Sequence, residues 1–171
     1  MTAASPHKIA VRPLTAAAFA PYGQVIATRQ VFGQGVGTHK DPSTDPEEAR
    51  LVLSEGTPRL WIMHMGQIGT RFSRIARHRR TTQCLGSVDG TEWLLSVAPA
   101  GDLSDGAKPA LGDIVGFRIP PGAIIKLHLG TWHAGPHHQR AEARFLNLEL
   151  MDTNEADFHA VELGVECAYD L

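Results

Sequence analysis

A chain of 171 residues, 43% hydrophobic and 20% charged, is long enough to bury a core and too apolar to stay disordered. Its formal charge of -2 excludes a broad nucleic-acid footprint, and the one basic cluster, Arg74 to Arg80, is short and has no aromatic ladder beside it. No stretch approaches the ~20 apolar residues that span a bilayer, and MTAASPHKIAV is no secretory leader, so one domain over 1–171, with free Cys84 and Cys167 in a reducing cytoplasm, is expected.

The first segment, KIAVRPLTAAAFAPYGQVIAT, predicts strand, short helix, strand, with Thr15 capping the alanine-rich turn and Pro21-Tyr22-Gly23 ending it. Residues 30–48 hold glycines, prolines and Asp/Ser/Thr and predict a long loop with a helical turn near Pro46, a lid or an oligomer contact. From Pro58 the pattern becomes short strands and turns: RLWIMHM, RFSRIARH, EWLLSVAP, DIVGFRIP, AIIKLHL and RFLNLELM. These runs are rich in β-branched and large apolar residues, and no long 3.6-period helix interrupts them. Their spacing suits an antiparallel sandwich or barrel, so the fold class is mainly β with a small N-terminal αβ extension.

The run IPPGAIIKLHLGTWHAGPHH places His128 and His133 among apolar neighbours, where an imidazole is costly unless something binds it. Imidazole is also the commonest metal ligand and the usual acid or base near neutral pH. A second polar cluster, RHRRTTQCLGSVDG, holds His78 and Gln83. Both pairs are five residues apart, which sends them to opposite faces of a regular strand, so each needs a bend: Thr81-Thr82 for one, Gly130 for the other. Trp132 is expected to dry one side of a pocket around His133. Asn147 and Glu149 alternate with leucines, and that polar face points either into a site or to water; a Glu inside needs a partner. His64 reads as a satisfied core or interface residue, and His137 and His138 as facing solvent, although one of them can stand beside His133. His7, His39 and His159 carry no role, and Cys84 is not needed as a nucleophile.

Taken in order, PLTAAAFAPYGQVI, His-x4-Gln (His78, Gln83), VAPAGD and His-x3-Trp-His (His128, Trp132, His133) resemble the ureidoglycolate lyase (ureidoglycolate hydrolase) family of cupins, from about residue 9 to 158. The resemblance implies a cupin-like double-stranded β-helix, a homodimer, and cleavage of (S)-ureidoglycolate to glyoxylate and urea in allantoin breakdown. It places His78 and Gln83 at the first motif's His and Gln, and His128 and His133 at the second motif's histidines. In cupin terms His78, Gln83 and His133 stand where a divalent metal would be held; a glutamine there supplies oxygen without charge. No organic cofactor is expected.

The implied substrate is a small carboxylate, and its cleavage sets three tasks. Arg79, Arg80, Lys126 and Arg144 are candidate anchors for the carboxylate. His133 or His128 takes the hydroxyl proton while a partner group gives one to the departing nitrogen, or a metal polarises the alkoxide. Glu149 is a further candidate substrate contact. The alternative is a non-catalytic or differently specific cupin that binds a small organic acid; a dioxygenase fits less well, because it wants two histidines and a carboxylate.

Overall fold

The computed structural model describes residues 5–27 and 48–171. The loop expected over 30–48, with its helical turn near Pro46, lies outside the described residues apart from Glu48. The N-terminal segment forms β1 (His7–Pro13), α1 (Ala16–Phe19) and β2 (Gly23–Ile26). Thr15 caps α1 as expected: its Oγ accepts the Ala18 N–H at 3.1 Å.

Strands then follow one another: β3 (Pro58–Gly66), β4 (Arg71–Arg77), β5 (Gln83–Ser87), β6 (Trp93–Ala98), β7 (Val115–Ile119), β8 (Ile124–Leu127), β9 (Trp132–His137) and β10 (Glu142–Leu150). A helical turn, α2 (Thr153–Ala156), leads into the last strand, β11 (His159–Asp170). One sheet closes into a barrel in the order β1-β11-β4-β9-β6-β7, and the other is an open sheet in the order β2-β8-β5-β10-β3. Every pairing is antiparallel except those of β1, which runs parallel to β11 with its first half and to β7 with its second. The N-terminal strands are thus woven into both sheets, β2 pairing with β8.

The run EWLLSVAP has no polar alternation because β6 is buried on both faces. Trp93, Leu95 and Val97 join Phe117, Ile125 and Phe145 in one core, while Leu94 and Ala98 join Ile9, Ile75 and Trp132 in another. Aromatic rings lock the first core edge to face, Phe19 on Phe117 at 5.2 Å and Trp93 on Phe145 at 5.4 Å. This double burial makes the centre of the molecule rigid. Polar groups carried by the strands that flank it are therefore held in fixed places.

Candidate active site

His78 and Gln83 sit on either side of a turn, because β4 ends at Arg77 and β5 begins at Gln83. Asp157 builds that turn. Its carboxylate accepts the N–H groups of Arg79 and Arg80 at 2.8 Å each, and its carbonyl oxygen receives His78 Nδ1 at 2.8 Å. The expected bend between the two residues is therefore a whole chain reversal, and strand parity no longer separates them. Gly130 supplies the second bend with φ +76°, and a Cβ there would come within 2.5 Å of Leu103.

On β9, His133 lies opposite Ala76 of β4, which brings its ring centroid to 5.2 Å from that of His78. His133 Nδ1 faces the Thr131 carbonyl oxygen at 3.2 Å. Carbonyl oxygens only accept, so in both rings Nδ1 carries a hydrogen and Nε2 is the nitrogen left for a ligand. Burial first, and the neighbouring His78 second, pull the His133 pKa down to about 3. His133 is neutral in the folded protein at ordinary pH.

Gln83 is oriented from behind. Glu149, 0% exposed on β10, accepts Arg59 at 2.7 Å and the Trp61 indole N–H at 3.1 Å through one oxygen, and the Gln83 amide N–H at 3.0 Å through the other. This answers which way the polar face of β10 points: Asn147 and Glu149 face inward, between the sheets. A cavity of about 180 Å³ opens among His78, Gln83, His133, Asn147, Trp61 and Phe158. At about 30 Å³ per water molecule it has room for a small organic acid. An adjoining cavity of about 230 Å³ shares His133, Gly135 and Phe158 with it and adds Arg74, whose guanidinium lies 5.5 Å over the Phe158 ring.

The other expected site residues go elsewhere. Arg79 pairs with Asp105, Arg80 with Glu55 and Arg144 with Glu142, and none of the three lines either cavity. Lys126 Nζ donates to His128 Nδ1 at 2.9 Å, away from His133; desolvation, then Lys126, depresses the His128 pKa. Trp132 does not shield the pocket. Neighbouring strand residues face opposite ways, so it enters the other core, beneath the Arg77 guanidinium at 4.1 Å. Trp61 and Phe158 wall the cavity in its place. Arg74 was within the basic cluster seen in the sequence, but only the pairing of β4 with β9 shows which of those cations reaches His133.

Two other histidines depart from expectation, and His64 is not in the core. His137 and His138 are 5% and 2% exposed, because β9 runs between β4 and β6 and its end stays inside. His64 is on the outer face of β3, 57% exposed and 3.0 Å from Glu142. Burial, and then His138, bring the His137 pKa down to about 4. This has a consequence for stability. The unfolded chain protonates His133 and His137 near pH 6.5, whereas the folded chain resists until about 3 and 4. Their contribution is fully present above pH 6.5 and is lost as the pH falls toward 4. The urea midpoint should be flat above pH 7 and drop between pH 6.5 and 4; a midpoint that rises on acidification contradicts this.

The residues that the resemblance assigns to a metal do come together, but they fit a divalent cation poorly. They are two imidazoles and an uncharged amide, and Glu149, the carboxylate behind them, is already engaged through both oxygens. Among the described residues no group of three His, Cys, Asp or Glu is placed to hold a metal ion.

A family model described as ureidoglycolate lyase matches residues 6–168. No curated protein matches the chain. Among solved structures, vicilin from Corylus avellana (hazelnut) aligns at a TM-score of 0.38 and 14% identity, over 79% of this chain and 41% of that one. The chain thus spans less than half the length of that protein.

Proposed function

We propose, from the premise that this chain belongs to the ureidoglycolate lyase family, that the cavity between His78, His133 and Gln83 is where (S)-ureidoglycolate is split into glyoxylate and urea. The observation that carries this reading is the meeting of two imidazoles, each tied at Nδ1 and free at Nε2, on the wall of one pocket.

The substrate carbon bears a hydroxyl, a ureido nitrogen and a carboxylate. Arg74, on the wall of the adjoining cavity, takes the carboxylate, since its planar fork matches two oxygens. His133 Nε2 accepts the hydroxyl proton, the C–N bond breaks, the new C=O forms glyoxylate, and the imidazole pair returns a proton to the departing nitrogen. One proton leaves oxygen and one reaches nitrogen, so the reaction is balanced within the site. A basicity as low as that of the empty His133 is raised when an anionic substrate arrives beside it, because a nearby negative charge favours the imidazolium. No step uses a metal.

Racemic ureidoglycolate tests this directly. The protein should release urea and glyoxylate in equal amounts from half of the racemate, and prior treatment with a chelator should leave the rate unchanged. Ligand-induced stabilisation without turnover would favour the binding-module alternative. Loss of turnover on chelation, restored by one divalent ion, would return a metal to the mechanism.

The outer face of β3 exposes Leu60 and Ile62, paired across the strands with Leu148 and Leu146, an apolar strip that suits a second copy of the chain. Sedimentation at the mass of one chain would contradict the homodimer. Free Cys84 and Cys167 fit a reducing cytoplasm, and no helix among the described residues is long and apolar enough to cross a membrane. Fractionation of cells with a tagged chain tests the location.

A further inference from the structure

Two buried oxygens on residues that line the pocket have no hydrogen-bond partner among the described residues: Gln83 Oε1 and Asn147 Oδ1. Their orientation is not arbitrary. Gln83 must turn its amide N–H toward Glu149, whose carboxylate accepts it, so its carbonyl oxygen points away from that network. Asn147 turns its amide nitrogen to the Met63 sulfur at 3.6 Å, which accepts and cannot donate. Its carbonyl is likewise left over. β5 and β10 pair antiparallel with Leu85 opposite Asn147, so Gln83 and Asn147 are diagonal neighbours on the same inward face.

An acceptor buried without a donor is costly, and two on the wall of one pocket call for a ligand rich in N–H groups. We infer that the Gln83 and Asn147 carbonyl oxygens bind the N–H groups of the substrate's ureido end and set specificity for it, with Glu149 as the positioning residue that fixes the Gln83 amide. This rests on the lyase reading above and extends it. The ureido group presents its donors from both nitrogens, whereas a carboxylate or a hydroxy acid presents mainly acceptors. The pocket then divides by chemistry: acceptors for the ureido group on the β5–β10 side, imidazoles at the reacting carbon, and the Arg74 cation beyond them.

The test compares the two products as inhibitors of the wild-type protein and of two variants, Asn147→Leu and Gln83→Met. Each variant should raise KM about 10- to 100-fold and weaken inhibition by urea to match, while inhibition by glyoxylate stays within a factor of two or so. Glu149→Gln, which lets the Gln83 amide turn over, should raise KM more than it lowers kcat. In the wild type, urea well below denaturing concentrations should inhibit far better than acetone, which has its shape but no N–H. That comparison holds even if a variant fails to fold. Equal inhibition by urea and acetone, or variants that lose urea and glyoxylate alike, would overturn the inference. A wild-type protein that turns over ureidoglycolate while urea inhibition is unmoved by both substitutions sinks only this inference. A wild type that releases no urea at all sinks the lyase reading itself.

Discussion

Substituting His133 by alanine should lower kcat for ureidoglycolate by about 10²- to 10⁴-fold, the usual contribution of a positioned proton-transfer group. The folded state should survive, because the change removes a ring that lines a cavity and releases a buried imidazole that resists protonation. His78→Ala should lose a comparable factor, since the two rings act as a unit, and the double variant should be little worse than either single one. His128→Ala should leave kcat within a few-fold of the wild type: its partner is Lys126, and it does not line the cavity. Steady-state urea release by the four variants checks the set. Unchanged turnover in His133→Ala would remove the ring from the chemistry.

Arg59→Ala should destabilise the protein by about 3 kcal/mol, the low end of the cost of leaving one member of a buried ion pair alone. Glu149 is wholly buried while the Arg59 side chain is 30% exposed, so solvent offsets part of the loss. Most of the effect is the desolvated Glu149 carboxylate and not the attraction itself. A second change that neutralises it, Arg59→Met with Glu149→Gln, should therefore recover much of the stability. Denaturant unfolding of the single and double variants measures this, and equal stability of Arg59→Ala and wild type would show that water reaches Glu149.

Local signals in the chain carried most of the fold. Thr15 ahead of an alanine run, Gly130 beside His128, and the unbroken apolar stretch of β6 each demand one local conformation, and each adopts it. Three strands were harder to read. β5 is five residues with a glycine and β9 carries Gly135-Pro136 in its middle, so propensity alone argues against a strand in each, while β11 alternates glutamates with apolar residues as a strand does but is interrupted by Gly164. Pairing with neighbours overrides that preference.

The candidate site was half legible for a related reason. His78, Gln83 and His133 stand out because polar groups beside apolar runs are conspicuous, and motif order ties them together. The carboxylate anchor was not legible. Arg74, Arg79 and Arg80 lie in one short cluster, and only the turn built by Asp157 sends two of them to solvent-side acids and leaves Arg74 near His133. The Arg59–Glu149 pair joins residues 90 apart in the chain, so no local pattern announces it. His137 and His138 looked like a solvated end because they follow Gly-Pro, whereas the strand between β4 and β6 continues through them.

A crystal of the protein soaked in glyoxylate locates the chemistry most directly. Electron density for the acid is expected between His78 and His133, its carboxylate toward Arg74. Density at the open cleft lined by Arg118, Arg140 and His138, with none beside His133, would put the chemistry elsewhere.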